Sequence, residues 1–270
     1  MSNLAAQVIL HPKLSQSLAV LATTIGRDKA YRLIQYLARL IAWSLLRRGD
    51  VEAAARWEGL KNGFATGRRV MRLFRPAEFL QSAMNLAQRP VSSLKGAGQL
   101  AHLAQIGRQL GYAGFFTSDM LVWLGQIRFL RFDKEQLARF QRLTFKCWLA
   151  GIICSLISSS SSLVKLRADS RRFALAADVA RRESKEGKGP DQVAREETER
   201  RERGRTLLAQ RQSILSQLII DSCDVWIPAT GLGYANVNDG VLGALGAITS
   251  YMSLQTQWRK HAAASVRKSA

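Results

Sequence analysis

Few side chains in this sequence could assemble a reactive centre: His11, His102 and His261, the cysteines Cys147, Cys154 and Cys223, and the acids Asp221 and Asp224. The histidines lie far apart and none has a ligand-like neighbour at motif spacing, so each reads as a surface histidine. No Cys-x-x-Cys pair occurs and two of the cysteines sit in apolar runs, which fits a reducing compartment. Asp221 and Asp224, one helical turn apart at the end of an apolar helix, read as its wet edge and not as a general acid and base. Gly231-x-Gly233 lacks a third glycine and a preceding strand, and no Gly-x-x-x-x-Gly-Lys phosphate loop is present. The residues therefore give no catalytic group, no metal and no cofactor, and a non-enzymatic role is expected.

The chemistry that the sequence does support is that of a lipid surface. Ala53, Trp57, Leu60, Phe64, Gly67, Met71 and Phe74 follow alternating steps of four and three, which makes one apolar helical stripe. Arg68, Arg69, Arg72 and Arg75 lie beside or opposite it before Pro76 breaks or kinks the helix. Such a helix can bury Trp57, Leu60, Phe64, Met71 and Phe74 about 5–10 Å into one leaflet while the arginines hold anionic phospholipids. A second pattern lies near the end, where Gly240 to Trp258 carries no charge. That length just spans a hydrocarbon core of about 30 Å, with Trp258, Arg259 and Lys260 at the interface. Gly240, Gly243, Gly246, Ala247 and Ser250 put small residues where another helix can approach. The alternative is a soluble helix hairpin, in which each glycine costs roughly 1 kcal/mol relative to alanine.

Forty Lys plus Arg against twenty Asp plus Glu give a formal net charge of +20, which calls for an anionic partner. No zinc finger, ribonucleoprotein motif or basic zipper region is present, so phospholipid is expected and nucleic acid is not. The N-terminus carries no secretory signal, and Lys268-Ser269-Ala270 is not a peroxisomal matrix address.

The elements that must carry these residues are helices. Asp28 to Arg48 predicts a helix with Ala30, Ile34, Leu37, Ile41 and Leu45 as its buried stripe. Asp50 caps the next, Ala77 to Ala87 gives a second amphipathic piece, and Thr117-Ser118-Asp119 offers a cap for Met120 to Phe132. Cys147 to Val164 is uncharged over eighteen residues, at the lower limit for crossing a bilayer. The Ser158 to Ser162 run inside it can return hydrogen bonds to the backbone or mark a buried hairpin. Lys165 to Arg211 interleaves charges around Gly187-Lys188-Gly189-Pro190 as a solvated loop with flanking helices, and Leu207 to Ile227 is apolar again. The expectation is an all-α helical membrane protein with amphipathic N-terminal helices and one or two hydrophobic C-terminal membrane segments. Its regions would be 1–134 for membrane remodelling, 135–166 as a first membrane segment, 167–206 as a charged loop, and 207–270 as a membrane anchor with a basic tail.

Thr24-Ile25-Gly26-Arg27-Asp28-Lys29, followed by Arg32 and Gln35-Tyr36, resembles the N-terminal signature of the peroxisomal membrane-elongation peroxins, the peroxin-11 family. Met71-Arg72-Leu73-Phe74-Arg75-Pro76 with Leu80-Gln81 is similar to that family's membrane-remodelling region, and Asp224, Pro228 and Gly240 to Trp258 to its C-terminal anchor. The resemblance covers most of the chain. It implies a non-enzymatic protein of the peroxisomal membrane that elongates the organelle ahead of dynamin-related fission. It also implies a dynamin-related GTPase with its membrane receptor as partners, while the small-residue helix faces predict assembly of protomers into a homo-oligomer. A small-solute pore, lined by the serine run, and a pure adaptor for fission proteins are the competing readings.

Overall fold

The computed structural model describes residues 7, 9–90, 95–183 and 190–269, and its regular structure is helical. In chain order the helices are α1 (Pro12–Leu21), α2 (Thr24–Arg47), α3 (Val51–Val70), α4 (Arg75–Ala87), α5 (Ala97–Gln126), α6 (Lys134–Glu183), α7 (Pro190–Asp224), α8 (Trp226–Gly231) and α9 (Asp239–Ser269). They gather into two compact units, each drawn from separated stretches of the chain. The first comprises Met1–Glu78, Tyr112–Leu149 and Cys223–Ala270, and the second Phe79–Gly111 and Ala150–Ser222.

In the first unit α2 begins where the Thr23 hydroxyl accepts the Gly26 amide at 3.0 Å, four residues before the expected start. Gly26 is required there, because a Cβ would lie 2.1 Å from the Val20 carbonyl oxygen. At the other end Gly49 turns the chain with φ +84°, a conformation that suits glycine. Asp50 then caps α3 by accepting the Ala53 amide at 3.0 Å. The two helices pack against each other as an antiparallel hairpin.

The buried line of α2 differs from the one its apolar periodicity predicts. Gly26, Asp28, Arg32, Tyr36, Ala38 and Ala42 are inside. Ile34 and Leu37 are exposed, and Ala30, Ile41 and Leu45 are half-buried. Apolar periodicity identifies the apolar face but not the side on which the neighbours pack; here small and charged residues make the contact.

α9 lies antiparallel along α2. Cβ atoms at Gly240, Gly243 and Gly246 would come within 2.5 Å of the Trp43 ring, 2.8 Å of the Leu40 amide nitrogen and 2.2 Å of the Tyr36 ring. Only glycine permits that approach. Gln16 of α1 closes the far end by donating to the Trp258 carbonyl at 3.1 Å, and Arg39 pairs with Asp239 at 2.5 Å near the start of α9.

In the second unit the serines of α6 join helices. Ser158 donates to the Ala101 carbonyl of α5 at 2.9 Å, and Ser155 to the Asp221 carboxylate of α7 at 2.5 Å. Of the Ser158 to Ser162 run, Ser158 and Ser161 are buried and Ser158 is engaged with α5, whereas Ser160 is exposed. Asp221 is 1% exposed and accepts a second bond from Gln217 at 2.8 Å, so it is no wet edge.

Two further expectations are corrected. Thr117-Ser118-Asp119 does not start a helix: it lies inside α5, where Thr117 and Ser118 donate back to the Ala113 and Gly114 carbonyls at 2.9 and 2.6 Å. Charged α6 and α7 residues also continue as helix through most of the expected loop, and Gly187 to Gly189 lie outside the described residues. Among the described residues one helix, Lys134–Val179, is long and apolar enough to cross a membrane, and only 33% of its apolar window is buried. Gly240 to Trp258 is not of that kind. It lacks charge but is rich in Gly, Ser, Thr and Gln, and being uncharged is not the same as being apolar.

Candidate lipid-contacting site

The four arginines expected at the membrane turn inward or sideways. Arg68 is 7% exposed, and its guanidinium donates to Asp28 at 2.9 Å and to Gln35 at 2.7 Å. Arg69 donates to Asp119 at 2.9 Å and to Gln126 at 2.5 Å. Arg72 lies 3.4 Å from Asp119 and 3.7 Å from Asp28, with its guanidinium over the Phe116 ring. Arg75 shares that ring and pairs with Glu78 at 3.6 Å. The direct contact of Arg68, Arg69, Arg72 and Arg75 with anionic lipid is therefore corrected. Each meets a carboxylate of the chain itself, because a guanidinium entering a packed interface needs a partner to offset desolvation.

The acid of this network is held strongly ionised. Burial alone would raise the Asp28 carboxyl, but Arg68, Arg72 and Lys29 outweigh it and bring it to about 2. A second buried pair sits nearby in sequence on α2. Arg32 donates to Asp224 at 2.7 Å, and the Thr249 hydroxyl of α9 donates to the same oxygen at 2.7 Å. Asp224, 7% exposed, thus ties α2 to α9 and is not the wet edge of an apolar helix.

The apolar members of the predicted stripe face the other way or lie between. Trp57 and Leu60 are exposed on α3, and Phe74, in the turn that follows it, is 86% exposed. Phe64 is half-buried, with its ring edge-on to Tyr31 at 5.1 Å, and Met71 is half-buried as well. Met71 to Phe74 form a tight turn between α3 and α4, so the stripe is not one continuous helix; Pro76 occupies the first turn of α4, where its missing amide costs nothing.

Ile25, Ile34, Leu37 and Leu46 of α2 are exposed as well, as are Val241, Ile248 and Tyr251 of α9. Large apolar side chains thus stand outside, while Asp28, Arg32, Arg68, Asp119, Asp224, Thr249 and Ser250 stand inside. Apolar side chains are buried too, among them Val20, Tyr36, Phe115, Phe116 and Leu242, so the distinguishing feature is the set of buried charged groups. Sequence reasoning missed the inward acids; the signal available was that Asp28 and Arg32 share one helical face.

Ala247 and Ser250 are buried on α9 with the three glycines. The small-residue face formed by Gly240, Gly243, Gly246, Ala247 and Ser250 is filled within the chain, so it is not open to a second copy. His11 caps α1, accepting the Lys13 amide at 3.2 Å, and the three cysteines are free thiols. His102 is half-buried with its Nε2 atom enclosed, contrary to a surface placement.

Comparison with known proteins now bears on this inverted distribution. The family model of peroxisomal biogenesis factor 11 (PEX11) matches residues 14–258. The chain belongs to this family. It is 24% identical to peroxisomal membrane protein PMP27 of Saccharomyces cerevisiae, across 93% of this chain and 97% of that protein. It is 20% identical to peroxisomal biogenesis factor 11 of Schizosaccharomyces pombe, across 94% and 98%. To peroxisomal membrane protein 11A of Mus musculus it is 25% identical, across 86% and 91%. No solved structure gives a significant match.

Proposed function

We propose that this PEX11-family protein works in the peroxisomal membrane by inserting the outward apolar side chains of α3 and its following turn into one leaflet, which favours curvature and elongation ahead of fission. The protein is a peroxisomal membrane protein of organelle biogenesis, as its family and its relatives are. It acts without catalysis. The observation that carries the mechanism is the inversion on α2 and α3: Trp57, Leu60 and Phe74 face outward while Arg68 and Asp28 pair inward.

Apolar area placed about 5–10 Å deep in one leaflet expands that leaflet relative to the other. α6 supplies the anchorage, since its Lys134–Val179 part can cross the bilayer and keeps the α3 face concentrated at the surface. The formal net charge of +20 still favours an anionic phospholipid surface, through exposed cations such as Arg48 and Arg131.

The test is liposome tubulation by the full chain against a variant with Trp57, Leu60 and Phe74 all replaced by Ser. The variant should keep its helical circular dichroism and its membrane insertion and lose tubulation. Normal tubulation by a correctly inserted variant would reject the wedge and favour an adaptor role.

A further inference from the structure

The second unit holds a cavity of about 600 Å³ that the curvature reading does not use. Its lining includes Arg89, Gly98, His102, Ser158, Ser162 and Lys165, and no carboxylate among the described residues. Arg89 and Lys165 carry no ion pair with any acid among the described residues, in a chain where Arg68, Arg69 and Arg72 all have one. The Lys165 stem lies over Gly98, where a Cβ would stand 3.5 Å from its Cδ, in the first turn of α5 and so at the positive end of that helix. Ser158 is already engaged with the Ala101 carbonyl, whereas Ser162, one turn on, adds a hydroxyl to the lining.

We propose that this cavity binds a phosphomonoester. Two cations, a helix N-terminus and a hydroxyl match a compact dianion with several acceptor oxygens, and the volume accommodates the group that bears it. Two sources share this chemistry: a lipid headgroup and a soluble phosphate ester. Lys165 is the first charge after the uncharged Cys147 to Val164 run of α6, which sets the cavity where that run ends and brings a headgroup within reach. The assignment does not depend on the α3 wedge, since tubulation does not enter its measurement.

The test uses the full chain in phosphatidylcholine nanodiscs. Calorimetric titration with glycerol 3-phosphate probes the soluble source. Co-flotation with vesicles containing phosphatidic acid, or phosphatidylserine at matched surface charge, probes the lipid source. Arg89→Glu with Lys165→Glu should weaken the responding probe by more than about tenfold, and both positions are exposed, so the fold should survive. Ser162→Ala, which removes the lining hydroxyl, should weaken it by about fivefold. Arg48→Glu with Arg131→Glu changes the net charge equally at residues outside the cavity lining, and should leave glycerol 3-phosphate binding, or the preference for phosphatidic acid over phosphatidylserine, intact. Saturable glycerol 3-phosphate binding identifies a soluble ester, and that lipid preference identifies a headgroup. The proposal is overturned if neither probe separates the wild type from the Arg89/Lys165 variant, or if phosphatidylserine and sulfate bind as well as the monoesters.

Discussion

The two sides of the α2–α3 hairpin obey opposite rules. On one side Asp28, Arg32 and Arg68 are packed away from solvent and each has an oppositely charged partner; on the other Ile34, Leu37, Trp57 and Leu60 are bare. A charged stripe beside an apolar stripe is ordinarily read as a wet face and a core face. Here the charged stripe joins the helices and the apolar one is partly exposed. An arginine on an amphipathic helix therefore says nothing about its partner until the opposing helix is known.

The sharpest way to break this contrast is to leave one inward charge without its partner. Asp28→Leu should destabilise the first unit by about 3–5 kcal/mol, because Arg68 stays buried and uncompensated. Thermal melts followed by circular dichroism in detergent micelles measure this. A loss below about 1 kcal/mol would return Arg68 to the membrane surface.

Gly246→Ala tests the same interface through space. Its Cβ would stand 2.2 Å from the Tyr36 ring, so α9 must move off α2 at a cost of up to about 3 kcal/mol. Protease sensitivity near α9 should rise, with Gly63→Ala as the control, since a Cβ there meets nothing within 4 Å.

Acid provides a third test. The Asp28 carboxyl lies at about 2 in the folded protein against an ordinary 3.8, so the folded state binds its proton less readily than the unfolded chain. The stabilisation is complete above pH 4 and is lost as pH falls from about 4 towards 2, by about 2 kcal/mol. Arg68→Met should flatten this part of the pH–stability profile.

The outward side should give the smallest stability change of all. Phe74 is 86% exposed, so Ser there should change stability by no more than about 0.5 kcal/mol, and Ser at Trp57 and Leu60, which are partly covered, should each cost less than the loss of Asp28 while tubulation is lost. A large loss of stability would show instead that this face packs against protein.

Much of the architecture was legible along the chain. The all-helical fold, the capping by Asp50 and the apolar stretch within α6 follow from propensity, capping chemistry and composition, all of which act over a few residues, whereas the helix break falls at Met71 to Phe74, ahead of the Pro76 that the sequence pointed to. The peroxin-like stretch from Thr24 to Tyr36 led to the family through its pattern alone. What the sequence could not supply was the direction each face points. Asp28 and Arg68 lie forty residues apart and Arg32 and Asp224 far more, so their pairing exists only once α2 packs against α3 and α9. The Gly240–Gly246 face illustrates the same limit: its spacing announces a close helix neighbour, but only the tertiary structure decides that the neighbour is α2 of the same chain. Local periodicity ranks residues around a helix axis, whereas burial depends on which surface arrives from elsewhere in the chain, and that is a long-range property.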